Sequence, residues 1–190
     1  MPSIDINFLL QLHDDYKNYP CFIETGTLMG ETIFSVEPYF NKLYTIEFSE
    51  YYYNITKKHY NDNSNNNKIN FILNDSSIEF KTLLPTITDK AIFFLDGHWC
   101  GSNTGKSSKD CPLEEEIRHI NNLFRNEAII IIDDYRLFGL DKSSGKLNED
   151  WSNITKDLLV NIIKLRINKI YHLDSIIAKD DRLIIHINSM

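Results

Sequence analysis

The stretch FIETGTLMGET at residues 22–32 decides the fold, together with the run KLYTIE at residues 42–47. An apolar strand, a glycine loop, a helix and a second strand ending in an acid are typical of α/β proteins that bind nucleotide-like ligands. The glycines let the backbone approach the ligand, which also faces the helix N-terminus. The acid, here Glu47, follows about twenty residues later and accepts hydrogen bonds from ribose hydroxyls. The sequence therefore predicts an adenosine-containing ligand.

Composition indicates one globular domain spanning residues 1–190, with an N-terminal helix in 1–20 and an α/β core in 21–190. The chain is 42% hydrophobic and has a net charge of −7. A protein with this acidic balance lacks the excess of basic residues that binding to nucleic acid or an anionic membrane requires. No apolar run approaches the roughly 18 residues needed to cross a bilayer. We therefore expect neither nucleic acid nor a membrane as a partner.

The cysteines indicate a reducing compartment. Cys21, Cys100 and Cys111 are few and odd in number, as is typical of cytoplasmic proteins, and the sequence shows no secretory signal. The predicted N-terminal helix is expected to be exposed, so it is a possible homodimer contact.

Hydrophobic periodicity and turn residues predict the order of the elements. The predicted helices cover about 3–18, 30–38, 49–60, 76–84, 112–122 and 151–166. The predicted strands cover 21–24, 43–47, 69–73, 91–95 and 128–132, followed by a hairpin of 171–178 and 182–187. This order describes an open, twisted, mostly parallel seven-stranded sheet with a C-terminal antiparallel hairpin and helices on both faces.

Acidic residues follow five successive predicted strands. They are Glu24, Glu47, Asp75, Asp96, Asp133 and Asp134. In open α/β sheets, ligands bind beyond the carboxyl ends of the strands, at the point where strand order reverses. The acids are therefore expected to share one binding edge. Ordinary turn chemistry is the alternative reading of Asp96, Asp133 and Asp134, as is a solvated strand end for Glu47.

The whole series resembles the Rossmann-like class I S-adenosylmethionine-dependent methyltransferases. A narrower resemblance, to macrocin- and mycinamicin-type sugar O-methyltransferases, is carried by FLDGH at 94–98 and IIDDY at 131–135. This resemblance implies an O-methyltransferase acting on a sugar or nucleotide sugar, assisted by Mg²⁺.

The resemblance also implies roles for individual residues. Gly26 and Gly30 would face the methionine part of the cofactor, Glu24 its amino group, and Glu47 its ribose. The full set assigned to the cofactor is Glu24, Thr25, Gly26, Thr27, Gly30, Thr32, Glu47, Asp75, Ser76 and Asp96, with Asp75 and Ser76 beside the adenine.

Catalysis is expected at Asp96 and His98. The resemblance implies that Asp96, Asp133 and Asp134 bind Mg²⁺, which would orient the acceptor diol and acidify its hydroxyl. The family places an aspartate as base where this chain has His98. A histidine is suited to that task because its ordinary pKa is about 6.5. A loop histidine without a catalytic role is the alternative.

Other interpretations remain open. GSNTGKS at 101–107 resembles the phosphate loop of an NTPase, although three residues instead of four separate its glycines. His98, Cys100 and Cys111 supply part of a zinc ligand set without an evident fourth member. A non-catalytic cofactor-binding module is a further alternative.

A lid is a better interpretation of residues 99–111 than a phosphate loop. This loop of small residues would close over the site, and Lys106, Lys109 and Arg136 would then contact an anionic substrate. Solvated charges are the alternative.

Overall fold

The computed structural model describes residues 2–63, 68–98, 111–141 and 149–190. The strands are β1 (Cys21–Thr25), β2 (Lys42–Glu47), β3 (Ile69–Leu73), β4 (Ala91–Leu95), β5 (Ala128–Ile132), β6 (Ile167–Leu173) and β7 (Arg182–Ile187). The helices are α1 (Ile6–Leu9), α2 (Glu31–Val36), α3 (Glu50–Asn63), α4 (Ser76–Leu83), α5 (Leu113–Leu123) and α6 (Lys156–Ile163).

The seven strands form one sheet in the order β3-β2-β1-β4-β5-β7-β6. Strands β1 to β5 pair in parallel, whereas β7 is antiparallel to both β5 and β6. The order reverses between β1 and β4, which is where sheets of this kind bind ligands. The predicted fold class, with its C-terminal hairpin, is confirmed.

Two hydrophobic clusters cover the two faces of the sheet because neighbouring strand residues point to opposite sides. Ile23 on β1 and Ile130 on β5 pack with α4, α5 and α6. Phe22 and Ile129 pack on the opposite face, with the N-terminal segment, α2 and α3. The central strands β1, β4 and β5 are buried throughout, as the continuous apolar runs of β4 and β5 predict.

The prediction of a helix over residues 3–18 was wrong. Only Ile6–Leu9 is α-helical, and Tyr16–Asn18 forms a single 3₁₀ turn. Tertiary hydrogen bonds hold the intervening backbone instead: the His13 amide donates to the Tyr171 hydroxyl, and Asp14 accepts from Lys169. The apolar side chains of this segment are nevertheless buried on the sheet.

Two C-terminal boundaries also differ from prediction. The first hairpin strand spans 167–173 instead of 171–178, and the turn after it is held by Ser175, whose hydroxyl donates to Asp181 at 2.7 Å. Helix α6 begins at Lys156 because Thr155 caps it, its hydroxyl accepting from the Leu158 amide at 3.1 Å. Side-chain caps of this kind fix a helix start more sharply than hydrophobic periodicity does.

Within the described ranges, no helix combines the length and apolarity that crossing a membrane requires. The thiols of Cys21 and Cys111 are free and buried, and burial raises the pKa of both.

Candidate active site

A pocket of about 320 Å³ opens at the point where strand order reverses, between the ends of β1 and β4. Its wall consists of Ser3, Glu24, Gly26, Thr27, Leu28, Met29, Glu31, Thr32, Phe94 and Asp96. The pocket wall therefore contains residues of the predicted glycine loop, the acids Glu24 and Asp96, and Ser3 of the N-terminal segment.

The glycine loop passes directly against the end of β4. Gly26 has φ +84°, and a Cβ at this position would lie 2.5 Å from the backbone oxygen of Asp96. A side chain is therefore excluded by backbone atoms, which cannot move aside without displacing Asp96. The Gly26 amide donates to the Ile46 carbonyl at 2.9 Å, which fixes the loop to β2 as well.

Glu24 is a buried acid at the base of the pocket, with 1% of its surface exposed. The Thr45 hydroxyl donates to Glu24 Oε2 at 2.6 Å, and Thr27 and Thr45 are hydrogen-bonded through their hydroxyls. When Glu24 is ionised, the single Thr45 proton goes to it, and Thr27 is then the donor to Thr45. Burial raises the pKa of Glu24 to about 8, with a smaller contribution from the charge of Glu47, while the Thr45 bond partly offsets the rise.

Glu47 is held rigidly by backbone amides. Its Oε2 accepts from the Leu28 amide at 2.9 Å and its Oε1 from the Ser49 amide at 2.7 Å. Each carboxylate oxygen keeps a second lone pair for a ligand hydroxyl. The acid thus fastens the glycine loop to the end of β2 in a fixed orientation.

The N-terminal segment closes one side of the pocket. The Ser3 amide donates to the Thr32 hydroxyl at 3.0 Å, and Ile4 beside it is fully buried. Thr32 therefore has a structural partner in addition to its place in the pocket wall.

Five of the residues assigned to the cofactor lie outside the pocket wall: Thr25, Gly30, Glu47, Asp75 and Ser76. A Cβ on Gly30 would meet the side chains of Phe34 and Thr56, both at 2.6 Å. Asp75 caps α4, accepting from the Ser77 amide at 2.8 Å. The assignment of all ten residues to the cofactor, including the five in the pocket wall, stays a prediction.

His98 lies among three carboxylates beyond the end of β4. Its Nδ1 is 3.6 Å from Asp96 Oδ1, and its Nε2 is 3.5 Å from both Asp134 Oδ2 and Glu149 Oε2. The Trp151 ring stands edge-on to the imidazole at 5.1 Å, and its Nε1 donates to Glu149 Oε2 at 2.9 Å. Asp96 thus belongs both to the pocket wall and to this cluster.

Asp133 and Asp134 are directed to different partners. Asp133 Oδ1 accepts from Arg182 Nε at 3.3 Å in a buried contact. Asp134 has φ 58° and pairs through Oδ1 with Arg136, which also binds Asp181. Arg136, expected to contact an anionic substrate, is therefore engaged by two carboxylates of its own chain.

Burial and the neighbouring acids make it unfavourable for Asp96 to ionise. Burial raises the pKa of this acid well above its usual range, and the charges of Asp133, Asp134 and Glu24 raise it further. Burial likewise raises the pKa of Asp133, against the opposing effect of Arg182. This end of the site therefore favours the binding of a cation.

Sequence reasoning did not identify Glu149, Trp151 or Arg182, because the fold brings them to His98 and Asp133 from distant parts of the chain. It also missed Glu116, which is 1% exposed and has a pKa raised to about 7 by burial. The sequence pattern could have identified Glu116, because this acid lies on the apolar face of α5 with Leu113, Ile117 and Ile120.

The predicted lid and phosphate loop fall on residues 99–110, which lie outside the described residues. The same holds for Cys100, Lys106 and Lys109. Cys111 is described, and it lines a cavity of about 10 Å³ beside His98, Asp96 and Glu116.

Neither a protein-family model nor a curated protein matches this sequence. Solved structures do match. An rRNA methylase of Clostridium thermocellum is 13% identical, with a TM-score of 0.61 and coverage of 100% of this chain and 98% of that chain. The O-methyltransferase TomG of Streptomyces achromogenes, solved with S-adenosylmethionine, is 12% identical, with a TM-score of 0.61 and coverage of 92% and 75%.

A caffeoyl-CoA O-methyltransferase of Staphylococcus aureus is 13% identical, with a TM-score of 0.56 and coverage of 91% and 78%. At these identities the likeness is one of fold. The chain has the Rossmann-like fold of class I S-adenosylmethionine-dependent methyltransferases.

Proposed function

We propose that this protein is an S-adenosylmethionine-dependent O-methyltransferase acting on a sugar or sugar-containing small molecule. The observation that carries the proposal is the pocket at the β1–β4 reversal. Its wall contains the buried acid Glu24, whose pKa is raised to about 8, and Asp96, which also contacts His98. The neighbours by fold include proteins described as O-methyltransferases, N-methyltransferases and rRNA methylases.

The pocket fits the amino-acid part of this cofactor. Its volume of about 320 Å³ lies within the ordinary range for small-molecule sites. Glu24 would accept hydrogen bonds from the cofactor ammonium, and that positive charge would return the raised pKa of Glu24 towards its ordinary range. When bound, the cofactor supplies a methyl group on positively charged sulfur, and Gly26 admits it close to the backbone.

The cluster beyond β4 suits a hydroxyl acceptor. Asp96 links the pocket wall to His98, so a hydroxyl beside them would face the methyl donor and give up its proton to this pair. Carboxylates also hold the neighbouring hydroxyls of a sugar by hydrogen bonds. The net charge of −7 disfavours a polyanionic acceptor, which supports a small molecule over RNA.

The side chains predicted to bind Mg²⁺ match a Mg²⁺ site only in part. Asp96 and Asp134 are suitable oxygen ligands. Asp133 is engaged by Arg182 instead, and a nitrogen ligand, His98, stands in the cluster.

Calorimetry with S-adenosylhomocysteine in the presence of a chelator tests the cofactor assignment. We expect binding by the wild type and a loss of roughly tenfold or more for Glu24→Gln, because a charge-assisted hydrogen bond is replaced by a neutral one. Glu127→Gln is the control, at an exposed acid that pairs with Lys90 and lies outside the pocket wall, and should bind normally.

Calorimetry with ATP and a methyl-transfer assay separate the alternatives. Tight ATP binding without a response to the sulfur cofactors would overturn the proposal in favour of an NTPase. Cofactor binding without methyl transfer to any of a panel of sugars and nucleotide sugars would identify a non-catalytic module.

A further inference from the structure

The end of β6 lies at the same edge of the sheet as the candidate active site. Because β7 is antiparallel to both β5 and β6, the strands β5 and β6 run in the same direction and end at one edge. Arg182 at the start of β7 pairs in register with Leu173 of β6 and contacts Asp133 after β5. The end of β6 is therefore placed beyond β5, on the side of the site away from the cofactor pocket.

A series of ring contacts connects His98 to the end of β6. The centre of the His98 ring lies 5.1 Å from that of Trp151, which lies 6.0 Å from that of Phe138. The Phe138 ring lies 4.9 Å from Tyr135, and Tyr135 lies 4.4 Å from His172 on β6. We call these five rings the aromatic row. Its last three members, Phe138, Tyr135 and His172, are only half-buried, so part of their surface is open to a ligand.

Lys156 stands at the His172 end of the aromatic row. Its Nζ donates to His172 Nε2 at 2.9 Å, while His172 Nδ1 lies 3.1 Å from the Asp180 carbonyl oxygen, which accepts. Both contacts are satisfied by a neutral imidazole that carries its proton on Nδ1. The ammonium group of Lys156 is thus held in place by an uncharged partner and keeps two N–H donors for a ligand.

The positive charge of Lys156 is not neutralised by an ion pair within the described residues. Burial and this charge lower the pKa of His172, against the opposing effect of Asp180. The two arginines at the same edge differ, since Arg136 and Arg182 are both paired with aspartates. Lys156 is therefore better suited than either arginine to bind an anionic group.

The two ends of the aromatic row have opposite electrostatic character. At one end His98 lies among the carboxyl groups of Asp96, Asp134 and Glu149, which suit sugar hydroxyls and disfavour an anion. At the other end lies the ammonium of Lys156. An acceptor with hydroxyls at one end and an anionic group at the other would consequently bind in a single orientation.

We propose that the acceptor is a phosphorylated sugar whose phosphate binds Lys156 and whose sugar ring lies along the aromatic row with a hydroxyl at His98. An ammonium donates strong, charge-assisted hydrogen bonds to phosphate oxygens. A phosphate ester is the chemistry that sugar phosphates and nucleotide sugars share. This inference deepens the proposed function and rests on it for the place of the reacting hydroxyl.

Calorimetry of the full-length protein with glucose, glucose 1-phosphate and UDP-glucose tests the inference. We expect at least one phosphorylated probe to bind about tenfold or more tightly than glucose, with an affinity that falls as salt is added. The tighter of the two distinguishes a sugar phosphate from a nucleotide sugar. Lys156→Gln should weaken binding of that probe by roughly tenfold or more, because a hydrogen bond from a charged group is lost.

Lys164→Gln is the matched control, at an exposed lysine that caps the other end of α6, and should bind the probe normally. Lys156→Arg keeps the charge and should retain most of the affinity. Circular dichroism melts establish that each variant is folded. Phosphorylated probes that bind no more tightly than glucose, or not at all, would overturn the inference, as would an unchanged affinity in Lys156→Gln. Since S-adenosylhomocysteine binding is measured separately, its persistence in that case would leave the methyltransferase proposal standing.

Discussion

At the scale of single residues, a comparison of two glycines distinguishes two costs of adding a side chain: backbone strain and steric clash. Gly26 and Gly139 have similar positive φ angles, +84° and +76°. A Cβ at Gly26 would collide with the backbone of Asp96 and Gly97, whereas a Cβ at Gly139 would meet nothing within 4 Å. Both conformations disfavour L side chains, but only Gly26 is also confined by the site.

We therefore expect Gly26→Ala to destabilise the protein by more than Gly139→Ala. The strain of a positive φ costs about 1–2 kcal/mol at either position. The contact with Asp96 adds a displacement of β4, so Gly26→Ala should also lose S-adenosylhomocysteine binding. Urea unfolding and calorimetry measure the two effects. Equal destabilisation with full ligand binding would show that the loop yields without disturbing the site.

At the scale of elements, the sequence predicted the presence and order of the strands far better than it predicted where the helices and strands begin and end. Apolar runs predicted β1 to β5 and β7 at nearly their observed bounds, because burial on the two faces sets those patterns, whereas β6 was predicted too late in the chain. The N-terminal helix was wrong because side chains from β6 and β7 compete for its backbone and acids. Such distant partners leave no local pattern, and Glu149 and Arg182 were missed for the same reason.

The N-terminal segment is fastened to the sheet by a chain of hydrogen bonds. Asp14 Oδ2 lies 2.8 Å from His186 Nδ1, and His186 Nε2 lies 3.0 Å from the Tyr171 hydroxyl. That hydroxyl accepts from the His13 amide at 2.9 Å, and the His13 ring stacks on Tyr171. Ser3, which lines the pocket, belongs to the same segment.

Tyr171→Phe should lower the free energy of unfolding by roughly 1–2 kcal/mol, because it leaves the buried His186 without its hydroxyl partner. Hydrogen exchange should speed up at the His13 amide. Tyr51→Phe, at a tyrosine that is 55% exposed, is the control. Unchanged exchange at His13 would show that stacking and Asp14 hold the segment without the hydroxyl.

At the scale of the whole molecule, buried titratable groups oppose one another as pH changes. Burial lowers the pKa of His119, His172 and His186, so the stability that they contribute is present above about pH 6.5 and is lost as pH falls below it. Burial raises the pKa of Glu24 to about 8 and of Glu116 to about 7. Their contribution is present below about pH 4.5 and is lost as pH rises through those values.

Glu116→Gln should therefore increase the free energy of unfolding at pH 8.5 by roughly 1–3 kcal/mol relative to the wild type, with a smaller difference at pH 5.5. Urea unfolding at the two pH values measures this. Glu127→Gln, at an exposed acid paired with Lys90, should show no such pH dependence. A Glu116→Gln variant that is equally destabilised at both pH values would mean that Glu116 is ionised in the folded protein.

The place of β7 links the site to the order in which the chain is synthesised. This strand follows β6 in sequence, yet it lies between β5 and β6 and carries Arg182, the partner of Asp133. Until β7 inserts, the edge of β5 is open and Asp133 has no guanidinium beside it. A growing chain on the ribosome would thus expose the apolar edge of β5 until β7 has been made and inserted, and Asp133 would gain its guanidinium partner only then.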